Sequence, residues 1–448
     1  MQSADFLTLK PTIEEMLAAN RWQELRDLLV WFPEPDIADF VTDVNEEKRI
    51  FILRLLPKSL LPTVFTHLDD KLKDDIINSL SDEEVRVILA GMALDDLAGF
   101  LEELPGKTIQ KLLTLLTPED RQESLQLLGY PVDSAGRLMT TDYVAILPNW
   151  TVNEALDHIR LEGADSETIN VIYVVDADRR LIGVMGLRRL ILARPEEQVC
   201  NVMDKTIISV SAFDDREEAI RKIRRYDVIA LPVVDVKGVM LGIVTIDDLF
   251  DVAEEEVTED FQKSAAVNPL HVSYRESSIL SLYRKRVLWL LSLLGVSVVT
   301  TGIISSRNTM LVSSIALASF IPLLTGAGGN TGSQSATLMI RAMTTGDIRD
   351  RQWIKVLFRE ILIGCLLGVT MGATSFLLAI FRGGWSLAVI VSFSMMSIVI
   401  LSGILGILLP LILQHLCVDP AAASNPLIAS VIDIIGLVIY FSVAALLL

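Results

Sequence analysis

Apolar segments in the last third of the chain place the strongest limit on what it can fold into. They cover residues 287–304, about 310–340, 361–381, 385–413 and 426–448. The second of them is interrupted by the decapeptide GAGGNTGSQS at 326–335. Segments of this length and composition can cross a bilayer as helices, in which every backbone polar group finds an internal partner. The sequence therefore predicts an α-helical membrane domain with five spans over residues 287–448.

Charged residues are divided unevenly along the chain. The whole chain has 39 Lys and Arg against 57 Asp and Glu, but from Ser273 onward there are 11 basic and 6 acidic residues. The acidic N-terminal part repels nucleic acid and attracts cations. Basic residues lie before the first span, at 284–286, and in the loop 341–359. By the positive-inside rule we expect a multi-pass protein of the plasma (inner) membrane with its N-terminus and soluble domains in the cytoplasm and its C-terminus outside.

Catalytic residues are not indicated by the sequence. The three cysteines have no paired spacing, and the four histidines form no HxxxH or HExxH pattern. Nothing resembles a nucleophile beside its base. We therefore expect that the chain is not an enzyme, and that its partners are the lipid bilayer and cations rather than nucleic acid.

Short helices are predicted throughout residues 1–132. The segment SDEEVRVILAGM opens with Ser81 and Glu84 at the spacing of a capping box. The segment TPEDRQESLQLL opens with Thr117 as N-cap and Pro118 in the first turn. Leucines follow at spacings of three and four residues, which predicts a small helical-repeat domain.

An internal repeat follows this helical part. The segment VIYVVDADRRLIGVMGLRRLI parallels VIALPVVDVKGVMLGIVTIDDLF: an apolar run ends in Asp176 or Asp235, and a Gly then opens another strand. Strands alternating with amphipathic helices predict α/β packing. The repeat resembles a tandem pair of cystathionine-β-synthase (CBS) domains, at 133–200 and 201–260. Such pairs usually sense ligands, often adenine nucleotides.

Nucleotide binding is predicted from the same resemblance. In CBS domains a Thr followed three residues later by Asp often contacts a ribose, and the second copy has Thr245 and Asp248 at these positions. The first copy has Gly186 and Arg189, so the hydroxyl acceptor is missing there. ATP is the candidate ligand of the pair. The candidate nucleotide contacts are Asp247, Asp248 and Arg188.

An acidic run connects the repeat to the membrane part. DDLFDVAEEEVTEDF, at 247–261, has eight carboxylates and no base. On a helix Asp248, Asp251 and Glu255 share a face, where like charges repel. A solvated acidic helix is the ordinary interpretation, but the position between sensor and membrane favours a regulatory cation site. An amphipathic connecting helix is expected over 261–286.

Asp433 is the outlying carboxylate of the membrane part. It lies near the middle of the last span, where an ionisable side chain is costly and usually functional. No Lys or Arg lies in mid-span to neutralise it, so a cation pathway is favoured over a structural pair with a neighbouring helix. Asp419, at the cytoplasmic end of the same helix, is either a cation ligand at the mouth or a charge stabilised by the helix dipole.

The decapeptide predicts a break in the second span. Pro322 removes a backbone donor, and the glycines at 326, 328, 329 and 332 permit an irregular backbone. Freed carbonyls and Asn330 would be hard oxygen ligands of the kind that Mg²⁺, Ca²⁺ and Mn²⁺ prefer. The alternative is close packing of helices on small residues, which explains the glycines better than it explains Asn330.

The complete layout resembles the MgtE family of magnesium channels and transporters. PLLTGAGGNTGSQSATLMIRA and VDPAAASNPLIASVIDIIGLVIYFSVA are similar to that family's most specific membrane motifs. The resemblance covers nearly the full chain. It implies a multidomain fold: an all-α helical-repeat N domain, an α/β tandem CBS pair, an amphipathic connecting (plug) helix and a five-span membrane domain. It also implies a homodimer with a pore between its subunits.

Two sets of Mg²⁺-binding residues follow from the resemblance. In the pore, Asp433 of both chains would line a central site, with Asn330, the Gly328–Gly329 backbone and Ala429 close by. Cytosolic Mg²⁺ would bind acidic interfaces and favour a compact closed state, since bound cations offset the repulsion between carboxylates. The residues implied for this gate are Asp95, Glu217, Asp227, Asp248, Asp251, Glu256, Glu259 and Asp260.

Three functions are compatible with the sequence. The first is a Mg²⁺-selective channel, gated by cytosolic Mg²⁺, that maintains magnesium homeostasis. The second is a carrier that couples Mg²⁺, Co²⁺ or Mn²⁺ to H⁺ or Na⁺, because a lone carboxylate can serve a proton relay. The third is a membrane-anchored nucleotide sensor, against which the missing ribose acceptor in the first CBS copy and the mid-span Asp433 both argue.

Overall fold

The structure is a computed structural model, and the chain divides into two compact units, one up to Ala253 and one from Glu254. It describes residues 12–13, 15–17, 19, 21–102, 104–164, 166–270, 274, 277–345, 347–348, 352–416 and 418–447. Predictions made for residues 1–11, for 271–273 and 275–276 in the connecting helix, and for the loop arginines Arg349 and Arg351 fall outside these residues.

Helices form the N-terminal part of the first unit, as the sequence predicts. The bounds are α1 Trp22–Leu29, α2 Glu34–Asp43, α3 Glu46–Leu55, α4 Leu61–Thr66, α5 Asp70–Ser79, α6 Asp82–Leu89, α7 Leu94–Glu102, α8 Gly106–Leu113 and α9 Pro118–Leu128. The capping box of Ser81 and Glu84 opens α6, and Thr117 accepts a hydrogen bond from the Asp120 N–H at the start of α9. Leu and Ile side chains from successive helices share one buried core.

Two small α/β domains follow in the same unit. The first contains β1 Tyr143–Ile146, α10 Val152–Glu162, β2 Thr168–Val175, β3 Leu181–Gly186, α11 Leu187–Leu192 and α12 Val199–Val202. The second contains β4 Val210–Ser211, α13 Arg216–Tyr226, β5 Ala230–Val234 and β6 Met240–Thr245, and leads into α14 Ile246–Ser264. In each sheet the first strand is parallel to the second and the second is antiparallel to the third. The internal repeat predicted from the sequence is thus repeated in topology.

Long apolar helices dominate the second unit. They are α15 Ile279–Ser306, a short α16 Asn308–Ser313, α17 Ile315–Thr344, α18 Trp353–His415 and α19 Asn425–Leu447, with a 3₁₀ turn at Pro420–Ala422 before α19. Among the described residues, α15, α18 and α19 are long and apolar enough to cross a membrane. Many small and polar side chains make α17 less apolar than these three.

Helix α18 is bent into two arms. Its 63 residues would extend about 95 Å if straight, roughly three times the hydrocarbon thickness of a bilayer. Gly383 and Gly384 depart from helical angles, and Gly384 has a φ of 74°, which favours glycine. The N-terminal arm is therefore 353–382 and the C-terminal arm 385–415, which agrees with the two predicted apolar segments.

The break predicted in the second span is wrong. Residues 326–335 are helical, and α17 continues through Pro322 without interruption. Proline and glycine lower helix propensity, but packing of a helix against its neighbours routinely outweighs propensity. Here the buried Gly328, Gly329 and Gly332 each lie against side chains of other helices. Small-residue packing, the alternative interpretation, accounts for the glycines.

The connecting helix predicted over 261–286 is not a separate element. Helix α14 runs past the predicted domain boundary at 260 and ends at Ser264, and Ala266 adopts the left-handed conformation in which helices commonly end. Residues 279–286 are the first turns of α15, which Ser278 caps by accepting the Ser281 N–H. No helix breaker separates the basic turn at 284–286 from the apolar residues that follow, so one helix forms instead of two.

Candidate cation sites

Glycines bring α17 close to α19 in the second unit. A Cβ placed on Gly329 would lie 3.2 Å from the Cβ of Ala429, and one on Gly328 would lie 2.9 Å from Cγ2 of Ile432. A larger side chain at either position would push the helices apart. The structure therefore places Gly328 and Gly329 beside the segment of α19 that contains Ala429.

Asp433 lies one helical turn beyond Ala429, on nearly the same face of α19. Its side chain is half-buried, and among the described residues its carboxylate has neither a hydrogen bond nor an ion pair. Asn330, the residue after Gly329, is exposed in the single chain. The two polar residues therefore adjoin, in sequence, the glycines and the alanine at which α17 and α19 meet, and no hydrogen bond joins them among the described residues.

The 3₁₀ turn before α19 approaches α14 through a group of charges that we call the mouth cluster: Glu259, Asp260, Lys263 and Asp419. The Lys263 ammonium donates to Asp419 Oδ2 over 2.6 Å and also pairs with Glu259. Asp419 in turn accepts the Ala421 N–H at 2.8 Å, which caps the 3₁₀ turn. Asp419 is thus both a helix-terminal charge and one of several carboxylates around a cation.

The pKa values in the mouth cluster reflect this crowding. Burial, followed by the nearby Asp419 carboxylate, raises the pKa of Asp260 to about 6, and Lys263 opposes that rise. Burial alone would lower the pKa of Lys263, but its hydrogen bonds to Asp419 and Glu259 outweigh burial and raise it. The cluster therefore holds more negative charge than its single ammonium neutralises.

A second acidic group lies in the first unit, and we call it the α7 cluster: Asp95, Asp96, Glu167, Asp247 and Asp248. Burial, then the neighbouring carboxylates of Asp248 and Asp96, raises the pKa of Asp95 to about 8. Burial, then Asp248 and Asp247, raises the pKa of Glu167. Carboxylates that raise one another's pKa in this way repel each other across the cluster.

Asp248 has an additional contact within this cluster. Burial raises its pKa, and a hydrogen bond opposes the rise: the Thr245 hydroxyl donates to Asp248 Oδ2 over 2.5 Å. Thr245 and Asp248 are the pair predicted to meet a ribose. Here they bond to each other, at the start of α14 after β6. Asp247, beside them, is exposed.

The remaining predicted gate residues are more scattered. Glu217 and Asp227 lie at opposite ends of α13, about 15 Å apart along the helix, so one ion cannot bind both within one chain. Asp251 is exposed, and its negative charge contributes to raising the pKa of Asp96. Glu256 is half-buried and raises the pKa of Asp260.

No group of three or more His, Cys, Asp or Glu side chains is arranged as a complete metal-ligand set in the part of the chain that the structure describes. Mg²⁺ commonly binds through one or two carboxylates and keeps several of its waters. Pairs of carboxylates in the two clusters suit that mode of binding.

Arg188, the third nucleotide candidate, lies on α11 of the first CBS copy, whereas the other two lie at the start of α14. It lines a surface cleft of about 640 Å³ together with Gly186, Arg189, Glu197 and Asn201. Gly186 and Arg189 are the residues that replace the ribose-binding pair in the first copy. Two guanidinium groups give this cleft the charge to hold an anion.

Four functional candidates were missed by sequence reasoning: Asp96, Glu167, Lys263 and Glu360. Asp96 directly follows the predicted Asp95, and Glu167 directly precedes β2. Lys263 is the first base after the acidic run. Glu360, on α18, is one of the few acidic residues after position 273. Each had a signal in the sequence, but their proximity to other polar groups depends on the fold.

Apolar helices with a half-buried carboxylate, joined to paired α/β domains and acidic clusters, are the features of a cation transporter with regulatory domains. Comparison with known protein families agrees. The MgtE divalent cation transporter domain matches residues 321–443, the MgtE intracellular N domain matches 32–133, and CBS domains match 135–196 and 199–255.

Full-length relatives define the family. The chain is 40% identical over 98% of its length, and 98% of the relative's, to the magnesium transporter MgtE of Thermus thermophilus. It is 33% identical over 96% of its length to the magnesium transporter MgtE of Bacillus subtilis, covering 95% of that protein. The chain belongs to the MgtE family of divalent cation transporters. The resemblance drawn from the two membrane motifs is confirmed, and so is the expectation of a transporter rather than an enzyme.

Solved structures resemble the soluble part. A crystal structure of the cytosolic domain of the Mg²⁺ channel MgtE in complex with ATP matches 55% of this chain and all of that one, with 38% identity and a TM-score of 0.53. The soluble part of a magnesium transporter matches 56% of this chain and 99% of that one, with 30% identity and the same TM-score. The N domain and the CBS pair are thereby confirmed as fold units.

Proposed function

We propose that this chain moves Mg²⁺ across a membrane and that Asp433 is the central group of its ion pathway. The observation that carries the proposal is the half-buried Asp433 carboxylate on α19, which has no ionic partner among the described residues. A lone carboxylate at membrane depth is costly unless it serves an ion. The family membership supports Mg²⁺ as that ion.

The contact between α17 and α19 supports a pathway along these two helices. Glycines let α17 approach Ala429. Asn330 follows Gly329 directly and Asp433 lies one turn beyond Ala429, so an amide and one carboxylate are available near this contact. Mg²⁺ loses its water reluctantly and often binds through it. One carboxylate with neutral neighbours can select a hydrated ion and still release it, which conduction requires.

We also propose five spans and a homodimer. The two arms of α18 count as separate crossings, and α15, α17 and α19 complete the five. None of the residues of α15 is buried in the single chain, so lipid and a second copy of the chain are proposed to cover it. An odd number of crossings with basic residues at 284–286 favours a cytoplasmic N-terminus, an external C-terminus and a location in the plasma (inner) membrane.

Cytosolic Mg²⁺ is proposed to close the pathway by binding at the α7 cluster and the mouth cluster. Carboxylates held close together repel, and a divalent cation removes that repulsion. A ligand shifts an equilibrium only by its differential affinity for the two states. Gating therefore requires that both clusters bind Mg²⁺ more tightly in the closed state.

ATP is proposed as a second ligand of the CBS pair. The crystal structure of a related cytosolic domain in complex with ATP supports it, at 38% identity to this chain. Thr245 and Asp248 of the second copy are the proposed ribose contacts. The cleft beside Arg188 is the proposed location of an anionic group.

Flux through Asp433→Ala tests the pathway. We expect Mg²⁺ flux into proteoliposomes to fall by at least tenfold, because the ion loses the one charged ligand that offsets its dehydration. The matched control is Ser442→Ala on the same helix, since Ser442 is exposed and bonds only to the backbone of Val438. Normal flux through Asp433→Ala would refute the proposed pathway.

A coupled carrier remains the second candidate, because a lone carboxylate also suits proton exchange. Recording from single channels separates the two. Unitary Mg²⁺ currents that continue without a gradient of H⁺ or Na⁺ support a channel, and Mg²⁺ flux that requires either gradient supports the carrier.

A further inference from the structure

Glu360 is a second carboxylate of the membrane unit. It is the eighth residue of α18 and half-buried, whereas Lys355 and Arg359 before it are exposed. The apolar residues of the N-terminal arm begin directly after it. Eight residues place it about 10 Å along the helix, at the point where the arm joins the packed bundle.

Three helical segments meet at the Glu360 carboxylate. The hydroxyl of Ser335, a buried residue of α17, donates to Glu360 Oε1 over 2.5 Å. On the C-terminal arm of α18, a Cβ at Gly403 would lie 3.1 Å from the same oxygen. The carboxylate therefore occupies the space that is open because Gly403 has no side chain. It connects its own N-terminal arm of α18 both to α17 and to the C-terminal arm.

Helix α17 packs against the C-terminal arm of α18 in two ways. In its N-terminal half Leu317, Phe320 and Leu324 share a buried core with side chains of that arm. Nearer Ser335 the backbones approach through glycine: a Cβ on Gly406 would lie 2.4 Å from the carbonyl oxygen of Gly332. Backbone surfaces in contact through glycine have no side chains to interdigitate, so they resist sliding and rotation less than a knob-and-hole contact does. A directional polar contact therefore adds most to the register of α17 in this glycine-lined half.

Hydrogen bonds between α17 and other helices lie at two places among the described residues. Near its start, the Tyr440 hydroxyl of α19 donates to the carbonyl oxygen of Leu317 over 3.0 Å; the others come from the segment 333–337. The Ser333 hydroxyl donates to the carbonyl oxygen of Asn425 over 3.3 Å, and the Thr337 hydroxyl donates to the Asn425 side chain over 3.3 Å. Both bonds are long. The bond from Ser335 to Glu360 is short and charge-assisted, and such bonds are roughly twice as strong as neutral ones.

We propose that Glu360 is a positioning residue for Mg²⁺ transport. Through Ser335 it fixes the rotation and axial position of α17, and with them the placement of Asn330 and of the Gly328–Gly329 segment beside the helix that contains Asp433. Glu360 acts as a hydrogen-bond acceptor and does not bind the ion. This inference rests on the proposed function of Asp433.

Variants at both ends of the bond test the proposal. Ser335→Ala removes the donor, Glu360→Leu removes the acceptor, and Glu360→Gln keeps an acceptor oxygen while removing the charge. Ser319→Ala is the matched control, because Ser319 is an exposed residue of α17 that bonds only to its own helix, at Ala316. KM and maximal rate of Mg²⁺ flux are measured separately in proteoliposomes at several pH values, and folding is checked by the thermal unfolding of each purified variant.

We expect Ser335→Ala and Glu360→Leu each to raise the KM for Mg²⁺ roughly tenfold, which corresponds to the loss of one charge-assisted bond. The double variant should raise it no further, because both substitutions remove the same bond. Glu360→Gln should stay within about twofold of the wild type, with an unchanged pH profile.

Three results would overturn the proposal. A loss through Glu360→Gln as large as through Glu360→Leu, or an altered pH profile, would assign the role to the charge, as in a proton relay. An unchanged KM for Ser335→Ala would remove the bond from the mechanism. Lower thermal stability at an unchanged KM would leave Glu360 with a purely structural role. Absence of Mg²⁺ flux in the wild type would refute the proposed function itself.

Discussion

In the proposed gate, Asp95 is the residue at which protonation and Mg²⁺ binding are most directly linked. Its pKa of about 8 in the folded chain lies above the 3.8 of an ordinary Asp, so its protonated form stabilises the fold, and that contribution is lost as the pH rises toward 8. Mg²⁺ binds the ionised form, so binding near neutral pH must release a proton. We expect Mg²⁺ affinity of the full chain to rise between about pH 6 and about pH 8, with release of roughly one proton near pH 7.

Calorimetry in buffers of different ionisation enthalpy measures that proton directly. Asp95→Asn should abolish the release, because the amide has no proton to lose. Glu119→Gln, at an exposed acidic position in the first turn of α9, should leave it unchanged. Release that persists in Asp95→Asn would assign the proton to another carboxylate.

A residue could be recognised as a functional candidate from the sequence where its chemistry is unusual for the residues around it. Asp433 is a carboxylate in an apolar span, and that is visible in the sequence alone. Lys263 and Glu360 are ordinary residues in sequence terms, one after an acidic run and one before an apolar run. Their significance comes from Asp419 and Ser335, which lie 156 and 25 residues away. Sequence periodicity holds no information about such pairings.

At the scale of elements, the packing of α17 against α18 predicts a difference between two glycines. A Cβ on Gly406 would meet the Gly332 carbonyl oxygen at 2.4 Å, whereas one on Gly326 would meet nothing within 4 Å. We expect Gly406→Ala to destabilise the membrane unit by about 1–3 kcal/mol, as overpacking does. Gly326→Ala should be neutral or stabilise it by up to about 1 kcal/mol, because alanine favours the helix. Unfolding of each purified variant in detergent measures both, and equal destabilisation would contradict this packing.

Helices were predicted correctly from the sequence where a local rule determines the residue at which they begin. The capping box of Ser81 opens α6 because it satisfies backbone donors within four residues. The same local rules failed at Pro322 and the glycines of α17, where they predicted a break. Contacts with Ala429 and Ile432 hold the helix together there, and such contacts lie outside any local window of sequence.

For the whole molecule, the division into an acidic soluble part and an apolar part was predictable because charge and hydropathy are properties of composition. The proposed gate was not predictable in this way, since it depends on how charges are placed in space. The mouth cluster allows a test of its sign. Asp260 adds negative charge beside Asp419, and Lys263 neutralises it. Removing the Asp260 carboxylate makes the cluster more positive by one unit. Removing the Lys263 ammonium makes it more negative by one unit.

We therefore expect Asp260→Asn and Lys263→Met to shift Mg²⁺-dependent closure in opposite directions. Asp260→Asn weakens the cation site, so the cytosolic Mg²⁺ concentration for half-closure should rise, by roughly fivefold for a coupling of about 1 kcal/mol. Lys263→Met leaves Glu259 and Asp419 unneutralised, so Mg²⁺ replaces the lost ammonium and half-closure should move to a concentration lower by a similar factor. Currents in excised patches at graded cytosolic Mg²⁺ measure both shifts.

Lys237→Met, at an exposed lysine, removes the same charge elsewhere and should leave closure unchanged. A shift in the same direction for Asp260→Asn and Lys263→Met would mean that Mg²⁺ does not act at the mouth cluster.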